Sequence, residues 1–232
     1  IRMGVETIIT FDAHDNRVQN AIPNNGFDNF FTSYQFISTI LNDMPDLIVD
    51  NEHLMTISPD EGGMRRAVFY SNQLGVDMGM FFKRRNYSTL VNGEHPVISM
   101  EFLGNDVSGK DVIIVDDMIA SGKTVLEVAK ELKKRNAARV IICATFGLFN
   151  DGLEELDQAY KEKVFDHIYT TNLCYCPSAL KERPYYHNVD LSRYIALIID
   201  TLNHDTSVND IMNATKRIQE LLEERSKNIS SK

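Results

Sequence analysis

The chain has 232 residues, of which 43% are hydrophobic and 25% are charged, with 12 Gly and 6 Pro. These are the proportions of a globular protein, and they exclude collagen-like, low-complexity and intrinsically disordered classes. The net charge is −9, from 24 Lys and Arg against 33 Asp and Glu. Such a balance argues against a nucleic-acid partner held by a broad basic surface, so we expect no nucleic-acid binding.

The cysteine content and the lengths of the apolar runs indicate the cellular compartment. Three cysteines, an odd number, give no disulfide framework. Cys174 and Cys176 form a Cys-x-Cys pair that lacks a second half with zinc-ligand spacing. The longest apolar runs, such as residues 195–199, are far shorter than the roughly 20 residues that a membrane-spanning helix needs. We therefore expect a cytoplasmic protein without a membrane partner.

Six short runs rich in Ile, Val, Met and Phe are predicted to be strands. In chain order they are residues 7–11, 54–58, 78–82, 112–115, 140–145 and 167–170. Their nearly continuous apolar content suits strands that are buried on both faces of a parallel sheet. Helical apolar spacing alternates with them, beginning at residues 64, 125, 194 and 211. This alternation predicts an α/β fold with a doubly wound, mostly parallel sheet.

Two segments interrupt the alternation. Residues 84–96 are mostly polar and separate two strand-like runs, and they are too many for a tight hairpin. In compact domains, loops of this length are often lids or binding loops. Residues 21–29, which are rich in Asn and Gly, are predicted to be a linker after the first strand.

The most informative stretch is residues 112–124, in which a buried strand leads to Asp116 and Asp117, a turn of small residues and a helix. Ligands of open α/β sheets bind at the carboxyl ends of the strands, where these two carboxylates are predicted to lie. Carboxylates accept hydrogen bonds from vicinal sugar hydroxyls and help to hold hydrated Mg²⁺. The alternative is that both residues only cap the following turn.

The turn itself suits a phosphate. A helix N-terminus offers unpaired backbone N–H groups to an anion, Ser121 and Thr124 add hydroxyl donors, and Gly122 lets the backbone approach closely. Gly122-Lys123-Thr124 also looks like the end of a nucleotide-binding P-loop, but Asp117 stands where that motif needs its first Gly. A sugar phosphate satisfies both the carboxylates and the turn.

Four motifs, in the same order along the chain, resemble those of the ribose-phosphate pyrophosphokinases. Residues 115–124 resemble the ribose-phosphate-binding motif of the type I phosphoribosyltransferase fold. Residues 10–15 (Thr-Phe-Asp-Ala-His-Asp) resemble the Asp-x-His strand end, and residues 57–63 resemble the Ser-Pro-Asp-x-Gly-Gly segment. Residues 82–85 (Phe-Lys-Arg-Arg) resemble the start of the catalytic loop. The resemblance implies a type I phosphoribosyltransferase-like fold.

The resemblance also implies a reaction and a cofactor. In this family the anomeric hydroxyl of ribose 5-phosphate attacks the β-phosphorus of ATP and forms phosphoribosyl pyrophosphate (PRPP) and AMP, with Mg²⁺ as the cofactor. His14 and Asp60 would then be metal ligands, and Lys83 and Arg85 would be catalytic cations. From the residues alone, His14 could be structural, Asp60 could cap a helix, and the two cations could form a solvated basic edge.

Ribose 5-phosphate would bind along one segment, which the resemblance assigns to Asp116, Asp117, Ala120, Ser121, Gly122, Lys123 and Thr124. Ala120 departs from the family, which commonly has a third Asp at this position. In phosphoribosyltransferases that acid can serve as a base near the leaving group, so its absence argues against an ordinary base-salvage enzyme. Lys123 stands where a small residue is usual, and it either contacts the 5-phosphate or points to solvent.

The family's enzymes have two such domains and form homo-oligomers. The resemblance therefore implies that residues 1–31 end a truncated N-terminal phosphoribosyltransferase-like domain, and that residues 32–205 form a C-terminal one. Residues 206–232 are predicted to be a C-terminal amphipathic helix and tail. Two other functions stay open at this point, a phosphoribosyltransferase that consumes PRPP and a catalytically silent subunit that binds ribose 5-phosphate.

Overall fold

The computed structural model of the chain describes residues 4–85, 88 and 97–230. Within them the strands, in chain order, are β1 (Thr7–Phe11), β2 (Gly26–Phe30), β3 (Leu54–Ser58), β4 (Asp77–Arg85), β5 (Val97–Leu103), β6 (Asp111–Ile119), β7 (Val140–Gly147), β8 (His167–Thr171) and β9 (Tyr186–Val189). Strands β3 to β9 form one sheet in the order β5-β4-β3-β6-β7-β8-β9. Its neighbouring strands are parallel except for β4 and β5, which are antiparallel.

Helices cover both faces of this sheet. They are α1 (Ser33–Asp43), α2 (Met64–Leu74), α3 (Lys123–Lys134), α4 (Glu154–Lys161), α5 (Ser178–Lys181), α6 (Ser192–Asn203), α7 (Asn209–Met212) and α8 (Thr215–Ser230). One core contains residues of α3 and α4, and the other contains residues of α1, α2, α6 and α8. The doubly wound, mostly parallel α/β fold is therefore confirmed.

Strand β6 shows why the sheet needs helices on both sides. Val112 and Ile114 belong to the core beneath α3, and Ile113 and Val115 belong to the opposite core. Successive strand residues face opposite sides, so an unbroken apolar run presents two apolar faces. Each face is buried only if a helix lies on it. Helices cover both faces of β6, as expected for a strand in the middle of the sheet.

Several predicted boundaries are wrong. Strand β6 runs to Ile119, four residues further than predicted, so the two carboxylates lie within the strand and not in the turn after it. Strand β2 occupies much of the predicted linker at residues 21–29. Residues 84 and 85 belong to β4 and not to the predicted loop. Of that loop, residues 86, 87 and 89–96 lie outside the described part of the chain.

The C-terminal segment also differs from its prediction. In place of one helix, α7 ends at Met212 and α8 begins at Thr215. Ile211, Ala214 and Ile218 are nevertheless all buried in the same core. The apolar spacing thus predicted the buried face correctly and missed the break.

Strands β1 and β2 form a second, two-stranded parallel sheet. It joins the rest of the molecule through aromatic rings, because Phe11 and Phe30 both pack against Tyr194 of α6, at centroid distances of 6.1 and 6.2 Å. This contact places the end of β1 beside the carboxyl edge of the main sheet. None of the described helices combines the length and apolarity required to cross a bilayer.

Candidate functional site

Asp116 and Asp117 are adjacent on β6 and are linked to each other. The backbone N–H of Asp117 donates to Asp116 Oδ1 at 2.8 Å, and the residue Asp117 is only 3% exposed. Burial, together with the neighbouring Asp117, raises the pKa of Asp116 to about 7. The site therefore holds a proton at Asp116 over much of the acidic range, because a half-buried and a buried carboxylate side by side cannot both be charged at low cost.

Asp117 is the charged member of the pair. Burial raises its pKa, but hydrogen bonds to Asp116 and His14 and the charge of Arg66 outweigh burial and leave the pKa below its usual value. His14 Nδ1 lies 2.8 Å from Asp117 Oδ2, although the His14 side chain is 74% exposed. This hydrogen bond and the Asp117 charge raise the pKa of His14. Two of the predicted motifs, 103 residues apart, are thus in direct contact.

Asp12 and Arg66 belong to the same cluster, although neither was predicted from the sequence to have a role. Arg66 Nε lies 3.7 Å from Asp12 Oδ1, and Arg66 Nη2 lies 3.8 Å from Asp117 Oδ1. The hydroxyls of Thr32 and Thr145 donate to Asp12 Oδ2 at 2.7 and 2.5 Å. Asp12 has a φ of 40°, a left-handed conformation that is uncommon outside glycine and is often found at functional sites.

Signals for both residues were present in the sequence. Asp12 is the Asp of the Asp-x-His motif, and it directly follows an apolar strand. Arg66 lies three residues after Gly63 in the first turn of α2. What no local pattern reveals is that the ends of β1, α2 and β6 meet, since that depends on the packing of β1 against the main sheet.

The predicted phosphate-binding turn lies between β6 and α3. Gly122, at φ 89°, precedes the first residue of α3, and only glycine adopts this conformation without strain. The turn is braced from the β7 side, where the Asn150 N–H donates to the Ala120 carbonyl at 2.7 Å. Lys123 Nζ lies 3.1 Å from Asp151 Oδ2, with both side chains more than half exposed. The arrangement suits an anion at the start of α3.

Asp60 makes a contact that resembles a helix cap, although the N-cap residue of α2 is Gly63 and has no side-chain capping bond. The Gly63 N–H donates to Asp60 Oδ1 at 3.1 Å, just ahead of α2. The Ser58 hydroxyl donates to the Asp60 carbonyl at 2.6 Å, which fixes the turn. A carboxylate accepts more than one bond, so capping leaves room for a metal role, which stays a prediction.

Magnesium fits this donor set in one particular way. In the described part of the chain, no three His, Cys, Asp or Glu side chains are grouped as a ready-made metal site. Mg²⁺ keeps most of its waters and commonly takes only one or two protein ligands beside substrate phosphates. His14 and Asp60 are therefore compatible with a Mg²⁺ that arrives with a polyphosphate, and they do not form a cage for the free ion.

The two predicted catalytic cations lie at the far end of β4. Lys83 Nζ donates to Glu127 Oε2 of α3 at 2.9 Å. Arg85 is the last residue of β4, and its side chain lies outside the described part of the structure. The structure thus places Lys83 beside the helix that follows the predicted phosphate-binding turn.

A cavity of about 750 Å³ opens beside the carboxylates. Asp12, His14, Arg66 and Asp116 line its polar side, and aromatic residues such as Phe69 line its apolar side. Residues 120–124 and Lys83 do not line it. The candidate site therefore has two parts, the cavity on the α2 side, which Asp116 lines, and the predicted phosphate-binding turn at the start of α3.

Comparison with known proteins gives a consistent result. Residues 34–178 match the phosphoribosyl transferase domain family. The chain is 30% identical over 174 residues to a ribose-phosphate pyrophosphokinase of Mycoplasma genitalium, covering 74% of this chain and 48% of the relative. It is also 30% identical over 217 residues to one of Vibrio parahaemolyticus, covering 91% of this chain and 62% of the relative. The chain thus spans about half the length of the curated relatives it matches.

A solved structure supports the fold. The chain superposes on the phosphoribosylpyrophosphate synthetase of Mycobacterium smegmatis with a TM-score of 0.72 and 23% sequence identity, covering 88% of this chain and 61% of that one. At this identity the match supports the architecture and not the activity. With the family match over more than half of its residues, the chain belongs to the phosphoribosyltransferase domain family.

Proposed function

We propose that the protein transfers the diphosphoryl group of ATP to the anomeric hydroxyl of ribose 5-phosphate and forms PRPP and AMP. The observation that supports this most strongly is the contact between His14, from the Asp-x-His motif, and Asp117, from the ribose-phosphate motif, at 2.8 Å. One motif is expected to face ATP and the other ribose 5-phosphate, so their contact would bring the two substrates together. The similarity to relatives named ribose-phosphate pyrophosphokinase also supports the proposed reaction.

The sugar would lie against β6 and its phosphate at the start of α3. Asp116 and Asp117 would accept hydrogen bonds from the ribose hydroxyls, and the N–H groups of residues 121–124 would bind the 5-phosphate. The proton on Asp116 would limit the repulsion between the pair and the phosphates until the pH exceeds about 7. Orientation of this kind is the main contribution that proteins make to phosphoryl-type transfers.

Charge neutralisation would come from a metal ion and from the β4 cations. Mg²⁺ held by His14, Asp60 and the ATP phosphates would withdraw negative charge from the transferred group. Lys83 and Arg85 would stabilise charge that develops on the phosphates during transfer. The anomeric oxygen would stay bonded to carbon 1 of the ribose, lose its proton to water and form a new bond to the β-phosphorus. The bond between the β-phosphorus and the oxygen that bridges it to the α-phosphate would break, and AMP would leave with that oxygen.

We also propose that residues 1–31 end a preceding domain and that residues 32–205 form a separate one. Support comes from the sheets, because β1 and β2 pair with each other and, within the described residues, not with the seven-stranded sheet. The family match begins at residue 34, just after β2. ATP would then lie between the two domains.

The test is an end-point assay on the native-length protein with MgCl₂, ATP and ribose 5-phosphate, followed by chromatography of the nucleotides. We expect AMP and PRPP in equal amounts, with neither product if ribose 5-phosphate is omitted. Release of pyrophosphate from PRPP only when a nucleobase is added would instead identify a phosphoribosyltransferase. Binding of ribose 5-phosphate without either reaction would identify a silent subunit and would refute the proposed activity.

A further inference from the structure

Lys83 has a defined place in the fold although it lies near the end of an edge hairpin. Phe81, two residues before it on β4, is fully buried in the core beneath α3. Strand residues two apart share a face, so Lys83 points to the same side of the sheet as α3. Its side chain is only 11% exposed, which is unusually low for lysine.

The group that faces Lys83 is Glu127. The Lys83 Nζ atom donates to Glu127 Oε2 at 2.9 Å, and the Glu127 side chain is 55% exposed. Glu127 follows Thr124, the last residue of the predicted phosphate-binding turn, by three positions and is therefore one helical turn away. The ion pair joins β4 to the first turns of α3, across 44 positions of sequence.

We propose that Glu127 is a positioning residue that holds the Lys83 ammonium group beside the phosphate-binding turn. This depends on the proposed function, in which Lys83 is a catalytic cation. A lysine ammonium group has three donors, so Lys83 can stay bound to Glu127 while it donates to a phosphate oxygen. Its flexible four-carbon stem would otherwise have to lose rotamer freedom during each catalytic cycle.

The burial of Lys83 distinguishes this pair from an ordinary surface ion pair. Two fully exposed partners gain little, because water and salt screen their charges. Glu131, one turn further along α3, pairs with Lys134, a mostly exposed lysine three positions away on the same helix. Glu127 instead binds a mostly covered lysine from another element, at the place where a fixed cation would be used.

The test compares steady-state rates of the native-length enzyme and its variants. We expect Glu127→Ala to lower kcat about tenfold, since small displacements of a catalytic group are costly, with the KM for ribose 5-phosphate changed less than about twofold. Glu127→Gln keeps an acceptor oxygen and should recover most of kcat. Glu131→Ala, the matched control on α3, should leave kcat unchanged. In a Lys83→Ala background, Glu127→Ala should have no further effect, because its only route of action has been removed.

A chemical labelling measurement tests the contact between Lys83 and Glu127 independently of enzyme activity. Brief acetylation with isotope-labelled acetic anhydride, read by peptide mass spectrometry, gives the reactivity of the Lys83 amine. Glu127→Ala should raise that reactivity several-fold, and Glu131→Ala should not. If Lys83→Ala impairs the enzyme but Glu127→Ala changes neither kcat nor labelling, the positioning role of Glu127 is overturned and the proposed role of Lys83 is not. A wild-type chain that forms no AMP, or a Lys83→Ala variant with normal kcat, overturns the proposed role of Lys83 together with it.

Discussion

The Asp116→Asn variant should gain stability relative to the wild type as the pH rises from acidic to alkaline. The introduced amide can keep both local bonds, since its oxygen accepts from the Asp117 N–H and its nitrogen donates to the Asp117 carboxylate, as the protonated acid does. The substitution therefore removes the titration of Asp116 and little else. It isolates the cost of ionising a buried carboxyl beside another one.

The magnitude follows from the pKa of Asp116, which is about 7 in the folded protein against an ordinary value of 3.8. Each pKa unit corresponds to about 1.4 kcal/mol, so the full cost is at most about 4 kcal/mol. The folded state keeps a proton that the unfolded chain releases, and wild-type stability therefore falls as pH rises from about 4 to about 7. Above pH 7 the whole cost is present. Partial solvent access of Asp116 reduces the expected total cost to about 2–3 kcal/mol.

The assay is urea unfolding of both proteins at pH 5 and pH 8, followed by circular dichroism. We expect the stability of the variant minus that of the wild type to increase by about 1.5–2.5 kcal/mol from pH 5 to pH 8, because about two of the three pKa units lie within that interval. Glu182→Gln, at an exposed carboxylate, is the matched control and should show almost no such increase. A difference that is equal at the two pH values would refute a raised pKa at Asp116.

Three further predictions concern single side chains. Lys83→Ala should lower kcat for AMP formation at least about a hundredfold, because a preorganised cation is lost, and steady-state kinetics measure this. Asp12→Ala should cost about 3 kcal/mol in urea unfolding, because the buried Thr32 and Thr145 hydroxyls lose their carboxylate acceptor and Arg66 loses one of its two carboxylate partners. Gly147→Ala should lower the melting temperature, with a cost of about 1–3 kcal/mol, because its Cβ would lie 2.6 Å from the Phe149 ring.

Each of these has a result that would contradict it. Lys130→Ala changes an exposed lysine of α3 and should keep the wild-type kcat, so an equal loss in both variants would remove the special role of Lys83. An Asp12→Ala protein with wild-type stability would show that the buried cluster contributes nothing. An unchanged melting temperature in Gly147→Ala would mean that the neighbouring ring moves aside freely.

The sequence predicted what depends on local pattern. Unbroken apolar runs marked the buried strands, and the predicted bounds of β1 and β3 match the structure. The end of β6 was missed, because Asp116 and Asp117 interrupt the apolar run while the backbone still pairs with β7 as far as Ile119. Pairing, which no composition rule reports, decides where such a strand ends.

Elements without a strong pattern were missed for a related reason. Strand β2 (Gly-Phe-Asp-Asn-Phe) contains residues typical of turns, and it is extended because it pairs with β1. In the candidate site, the motif residues were predicted and their contacts were not. The ion pairs of Arg66 with Asp12 and Asp117, and of Lys83 with Glu127, join residues 44 to 54 positions apart. Only the assembled fold brings them together.

The most direct test of the proposed reaction follows one oxygen atom. Ribose 5-phosphate carrying ¹⁸O at the anomeric hydroxyl is incubated with the native-length protein, Mg²⁺ and ATP, and the PRPP formed is examined by ³¹P nuclear magnetic resonance. Attack by that hydroxyl on ATP predicts that the ¹⁸O is retained in the bond between carbon 1 and the diphosphate, with one AMP released for each PRPP. PRPP with less label than the unreacted ribose 5-phosphate in the same mixture, or ATP consumed without PRPP, would contradict the proposed function.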